Sequence, residues 1–171
     1  MYPYDPDWAT SFEYERIRLT PILKSFLLQP LEHMGSTSIP GLVAKPIIDM
    51  LAVVEDIAPV VAMEGPLREI GWVLALEPGD EVERRLSFCT PSRELRTHHL
   101  HVVEESFGGW RGWLAFRDYL RKNRDVALEY GELKTRLSLE HGSDPNERNS
   151  YRAGKADWVS AVTARALLSQ R

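Results

Sequence analysis

Between residues 32 and 49 the chain reads Glu-His-Met-Gly-Ser-Thr-Ser-Ile-Pro-Gly-Leu-Val-Ala-Lys-Pro-Ile-Ile-Asp, with residue types suited to holding an anion. Gly35 lets the backbone approach a ligand closely, and successive N–H groups with the hydroxyls of Ser36, Thr37 and Ser38 can donate to phosphate oxygens. Lys45 adds a point charge for the same oxygens, and Asp49 can hold a Mg²⁺ that bridges them. The competing reading is a tight turn followed by a buried, hydrogen-bonded aspartate. Neither the Walker A spacing nor the three-glycine dinucleotide fingerprint is present.

A second group of chemically capable residues follows. His99 and His101 are two apart in a predicted strand and therefore share a face, while His98 points the other way. The pair can complete a metal site with Asp49, act as general base and phosphate donor, or only hydrogen-bond across a polar sheet face. Arg85, beside Arg84 at a strand start, has the guanidinium geometry to grip phosphate, exposed solvation at a strand end being the commoner explanation. Arg117 and Arg121 lie one helical turn apart on a face that reads as solvated, with reach toward the sheet as the alternative. Tyr151 and Lys155 are also a turn apart, spaced to stack a base and meet a phosphate, or merely to pack and snorkel.

These residues need a framework. Trp8, Phe12, Ile17, Leu19, Ile22, Leu23, Phe26 and Leu27 predict an opening helix, kinked or divided at Pro21. Leu31–Met34 is short enough for a strand and runs into the Gly35–Gly41 loop; Pro46–Val54 reads as a strand buried on both faces, interrupted only by Asp49. Ala58–Ile70 is helical in pattern, with a break at Gly65-Pro66 and a stop at Gly71. Strands are expected at Trp72–Leu76, Arg84–Thr90 and Thr97–Val103, then helices from Gly109 onward, ending with one from about Ser150 to Leu168. His141–Asn149 is a polar linker too short to separate domains. The five tryptophans suit core and helix-docking positions.

The expected fold class is thus α+β, a mixed sheet flanked by N- and C-terminal helices, with residues 1–171 as one domain. A hydrophobic fraction of 43% and 27% charged residues describe a globular chain with a substantial core. A formal charge of −4 gives no overall basic field, so long nucleic acid is not an expected ligand, whereas a local cluster of donors can still bind a small anion. Cys89 is the single cysteine, excluding an internal disulfide and fitting a reducing cytoplasm. Neither a signal-peptide pattern nor an apolar span of about 18 residues is present, so no membrane partner is expected.

Taken together, Glu32–Leu42 with Lys45-Pro46-Ile47-Ile48-Asp49, then His99-Leu100-His101-Val102, then Phe116-Arg117-Asp118-Tyr119-Leu120-Arg121, resemble the GrpB family, also called UPF0157. Early Tyr4-Asp5-Pro6-Asp7-Trp8 and late Tyr151-Arg152-Ala153-Gly154-Lys155 extend the resemblance over nearly the whole chain. Related domains occur fused to dephospho-CoA kinases, and the family is grouped with nucleotidyltransferases of the DNA polymerase β type. The resemblance implies a palm-like sheet in which Gly35-Ser36 holds nucleotide phosphates and carboxylates on the next strand hold divalent metal, Mg²⁺ being the expected cofactor. This chain departs from the superfamily pattern of two carboxylates one residue apart, because Ile47 and Leu51 flank Asp49 at that spacing. Three functions follow as expectations. One is a nucleotidyltransferase acting on a nucleotide or phosphorylated small molecule with Asp49, His99 and His101 as catalytic residues. The others are a non-catalytic nucleotide- or CoA-precursor-binding module and a histidine-dependent metal enzyme.

Overall fold

A computed structural model describes residues 1–141 and 148–170, so most of the expected polar linker lies outside the described residues. Helix α1 (Asp7–Leu23) buries Trp8, Phe12, Glu15, Leu19 and Leu23, a stripe at helical spacing. Pro21 does not divide it. It sits in the last turn, where only the carbonyl of solvent-facing Ile17 loses a partner. Phe26 and Leu27 lie beyond the helix and pack on the core from the following turn.

Strands β1 (Glu32–Met34), β2 (Ile48–Val54), β3 (Val73–Leu74), β4 (Arg85–Thr90) and β5 (His98–Glu104) form one sheet in the order β1-β2-β5-β4-β3. Only β2 and β5 pair in parallel, and they occupy the centre. This explains the near-continuous apolar run of β2, since a central strand in a parallel pair is covered on both faces. The expected mixed α+β sheet is therefore present, with β3 shorter than the sequence indicates. Between β2 and β3 the expected helix is two pieces, α2 (Ala58–Val61) and α3 (Glu64–Glu69). Pro66 cannot donate to Ala62 and its ring crowds that carbonyl, so the helical run breaks at Ala62-Met63.

One sheet face, carrying Met50, Ala52, Leu100, Val102, Leu86 and Phe88, packs with Trp72 beneath α1, α2 and α3. Trp72 is fully buried, and its indole N–H donates to Glu15 at 2.8 Å. The other face is covered in part by α4 (Gly109–Lys122), whose Trp110 and Trp113 pack on Met34, Leu51, Val53 and Val103. Helices α5 (Arg124–His141) and α6 (Arg148–Leu168) pack with α4 around Tyr130, Trp158 and Val162. α4 covers only part of that face, and Asp49 of β2 with His99 and His101 of β5 lies on it.

His33 is an internal pH marker of this packing. It stacks on Phe12 at 4.9 Å between ring centroids, and its Nε2 lies 3.1 Å from the Thr37 hydroxyl, which itself donates to the Ile47 carbonyl. Burial, reinforced by Arg121, lowers its pKa to about 4. Between pH 4 and 6.5 the unfolded chain binds a proton that the folded one does not, so stability rises with pH across that window, by about 3 kcal/mol from this group. Melting curves from pH 4 to 7 should show that slope, and His33→Gln should flatten it. An equal slope in the variant would locate the effect elsewhere.

Candidate functional site

The turn after β1 is set by Gly35, at φ +71°, followed by a 3-10 turn over Ser36–Ser38. A Cβ on Gly35 would stand 2.3 Å from Oδ2 of Asp49, so the missing side chain is what lets the loop lie against that carboxylate. Two of the three expected phosphate donors are already committed. The Ser38 hydroxyl donates to the Gly35 carbonyl at 2.6 Å, and Thr37 is bonded to Ile47 and His33. Both are buried and hold the loop together, which corrects their reading as phosphate donors, although Thr37 still contributes to the cleft wall. Ser36 is the hydroxyl that faces outward.

Ser36, Thr37, Lys45, Ile47, Asp49 and His99 line a cleft of about 220 Å³, closed from the helical side by Lys134 of α5 and by Tyr151, Arg152 and Lys155 of α6. Lys134 is 1% exposed, and its Nζ donates to Ser36 Oγ at 2.9 Å and to the Val43 carbonyl at 2.6 Å. Burial, with Lys155 nearby, lowers its pKa to about 7. The ammonium groups of Lys45 and Lys155 each lie 5.2 Å from the Tyr151 ring centroid. Four basic side chains thus converge where Asp49 is the single carboxylate of the lining, in a chain whose overall charge is negative.

Asp49, His99 and His101 come together on the open sheet face as the shared parity requires. Asp49 is registered opposite His99 across the parallel pair, and His101 opposite Leu51. Oδ1 of Asp49 lies 3.2 Å from His99 Nδ1 and 3.9 Å from His101 Nε2. Burial pushes the Asp49 carboxyl pKa upward, but His101 and His99 together outweigh it and hold the group well below the usual carboxylate range. His98 faces the opposite side and meets Trp72 edge-on, as its parity predicts.

Two arginines are placed otherwise than expected. Arg85 gives its Nε to Asp80 at 2.7 Å and its Nη1 to Glu83 at 2.7 Å, so its donors are spent on carboxylates outside the cleft rather than on phosphate. Arg117 does not face solvent or substrate; it is buried, bonded to Asp118, to Glu32 and to the His33 carbonyl at 2.7, 2.7 and 2.9 Å, and ties α4 to β1. Tyr151 and Lys155, by contrast, both reach the cleft. Lys134 and Arg152 are site residues that the motif reading missed, and the Tyr130 hydroxyl lies beside Ser36. The signal for Lys134 was a lysine within the stripe Tyr130, Lys134, Leu137, all three buried at helical spacing.

For the Mg²⁺ expected at Asp49, the donor set is a poor match. Mg²⁺ requires near-octahedral oxygen, and the groups converging here are one carboxylate and two imidazoles.

The chain matches the family model described as GrpB protein over residues 1–165. It is 34% identical over 163 residues to the UPF0157 protein YqkA of Bacillus subtilis, covering 95% of this chain but 46% of that longer protein. It is 33% identical over 164 residues to the glutamate-rich protein GrpB of Alkalihalophilus pseudofirmus, covering 95% and 92% of the two chains. The crystal structure of conserved protein GrpB from Enterococcus faecalis superposes with a TM-score of 0.85 at 34% identity, over 98% of this chain and 97% of that one. On the strength of these matches along almost its whole length, the chain belongs to the GrpB family.

Proposed function

We propose that the cleft binds a phosphorylated small molecule, a nucleotide foremost, through its phosphates, and that nucleotidyl transfer to a small acceptor is its chemistry. The observation that carries the binding reading is Lys134: a buried ammonium on Ser36, without a carboxylate partner among the described residues, at the base of a cleft lined by three further basic side chains. An uncompensated buried charge is costly, and a bound anion supplies the missing counter-ion. Tyr151 lines the cleft and offers an aromatic ring for a base. The polymerase β palm reading of the sheet belongs to this proposal. So does a cytoplasmic location; no helix of the described residues is long and apolar enough to cross a membrane.

A non-catalytic binding module is the second reading, favoured by the lone carboxylate: Ile47 and Leu51 leave Asp49 without the neighbouring acid that two-metal phosphoryl transfer uses. Calorimetric titration of ATP, AMP, adenosine and inorganic phosphate in the presence of EDTA tests the binding reading. Affinity should rise with phosphate count and vanish for adenosine. Ser36→Ala should weaken ATP roughly tenfold, and exposed Lys45→Ala roughly threefold to tenfold. Equal affinities for ATP and adenosine, or unchanged ATP affinity in both variants, would remove the phosphate reading. Release of pyrophosphate from ATP on addition of divalent metal separates transferase from binding module.

A further inference from the structure

The hydrogen-bond directions around Asp49 carry a conclusion independent of the phosphate cleft. One ligand atom from each of Asp49, His99 and His101 lies within 4.8 Å of the other two. Two ligands held about 2.0–2.1 Å from a tetrahedral ion stand about 3.3 Å apart, so the observed 3.2 and 3.9 Å separations need only small adjustment to enclose one.

The protonation pattern favours an ion there. Ser87 Oγ donates to Oδ1 of Asp80 at 3.1 Å, and Asp80 is fixed in turn by Arg85 at 2.7 Å. With its proton spent, Ser87 presents a lone pair to Nδ1 of His101, 3.5 Å away, which makes Nδ1 the protonated nitrogen. Nε2 of His101 is then a bare lone pair directed at the Asp49 carboxylate. Two acceptors facing each other repel unless a cation lies between them or the imidazole takes a second proton. His99 differs: ligation through Nδ1 requires that nitrogen to be bare, which puts the proton on a buried Nε2 that has no partner among the described residues, whereas an Nδ1–H would simply donate to Asp49. An imidazole whose far nitrogen is held by a hydroxyl and carboxylate chain is also the outer arrangement that orients histidine ligands at metal centres.

The donor set decides which ion. Imidazole nitrogen suits Zn²⁺, Co²⁺, Fe²⁺ and Ni²⁺, whereas Mg²⁺ is a hard ion that prefers oxygen and releases its water reluctantly. We propose that Asp49, His99 and His101 form a mononuclear site for a divalent first-row transition ion, open on its cleft side, with Ser87 and Asp80 as positioning residues for His101. Asp49 and His99 line the cleft, so the open positions of the ion face the place where an anionic ligand enters. The rival is a metal-free network in which a doubly protonated His101 pairs with Asp49.

The test uses the full chain, stripped with chelator, dialysed, and titrated with Zn²⁺, Co²⁺ and Mg²⁺ in the absence of nucleotide. One Zn²⁺ per chain should bind at least a thousandfold more tightly than Mg²⁺, and Co²⁺ should give the intense visible absorption of a low-coordinate site. Asp49→Asn and His101→Ala should each weaken Zn²⁺ a hundredfold or more. Ser87→Ala should weaken it roughly tenfold and shift the Co²⁺ spectrum without abolishing it. His98→Ala, on the opposite face, and Cys89→Ser should leave the stoichiometry and affinity unchanged. Circular dichroism confirms that each variant is folded, and a crystal soaked with Zn²⁺ locates the ion by anomalous scattering should a variant unfold. Mg²⁺ binding as tightly as Zn²⁺, no Zn²⁺ bound by the wild type, or Zn²⁺ affinity unaffected by both Asp49→Asn and His101→Ala would overturn the proposal. Phosphate binding in EDTA bears only on the cleft, and Zn²⁺ binding without nucleotide bears only on this site, so the two readings fail separately.

Discussion

Gly35→Ala is expected to yield a folded protein that has lost its ion affinity a hundredfold or more and with it much of its affinity for phosphate. The backbone at this position is left-handed, at φ +71°, which costs an alanine roughly 1–2 kcal/mol. The larger effect is steric. The new Cβ would stand 2.3 Å from Oδ2 and 3.1 Å from Cγ of Asp49, so the carboxylate must rotate away from His99 or the loop must lift from β2. Either response separates Asp49 from the two imidazoles and moves Ser36 away from Lys134. Gly41→Ala is the matched control, because its φ is +79° but nothing lies within 4 Å of the added Cβ. It should show the conformational cost alone, a lowered Tm with Zn²⁺ and ATP affinities intact. If the two variants lose binding equally, backbone strain rather than the approach of Gly35 to Asp49 is responsible. If neither loses binding, Asp49 is not where the ligands act.

Lys134→Met should weaken ATP binding at least a hundredfold at pH 7 while leaving the protein as stable as the wild type or more so. Methionine replaces the aliphatic stem with similar volume and removes the buried charge; loss of the bond to the Val43 carbonyl offsets part of that gain. The pH dependence supplies a second signature. Lys134 is held near 7 when folded and lies near 10.4 when unfolded, so between those values the unfolded chain binds the extra proton and wild-type stability rises with pH. The methionine variant should lack that slope. Anion binding runs the opposite way, since the neutral amine that prevails above pH 7 no longer offers a charge: wild-type affinity should fall toward tenfold per pH unit from 7 to 9, and the variant's should stay flat. Calorimetry at pH 6, 7, 8 and 9 reads this directly. A wild-type affinity that ignores pH, or a variant that binds ATP normally, would show that Lys134 serves only to hold Ser36 and Val43.

Much of this molecule was legible from its residues alone, and the reason lies in what local pattern encodes. The long apolar run of β2 and the helical stripe of α1 follow from periodicity, because burial on two faces or on one leaves a signature in spacing. The shared face of His99 and His101 follows from the two-residue repeat of a strand, and the approach of the chain at Gly35 from the absence of a Cβ. Proline effects were harder to place. Pro66 breaks a helix because Ala62 is the carbonyl it crowds, whereas Pro21 does not, because the carbonyl it leaves free is near the end of α1 on a solvent-facing side.

What only the tertiary structure decided was which polar groups remained available for chemistry. Four hydroxyl and guanidinium side chains expected to face a ligand, those of Thr37, Ser38, Arg85 and Arg117, are bonded to groups on the loop itself, on the β3–β4 connection or on β1, and no local spacing announces such partners. Lys134 shows the converse. It is 98 residues from Ser36 and reaches it only because α5 packs behind the loop. Asp49 meets His99 for a similar reason, since the parallel pairing of β2 with β5 sets their register across 50 residues of intervening chain. Residue types and short-range spacing are properties of the sequence; whether a donor is spent or free depends on long-range packing, and at this site that packing leaves Ser36, Lys134 and the Asp49–His99–His101 group facing one another across the cleft.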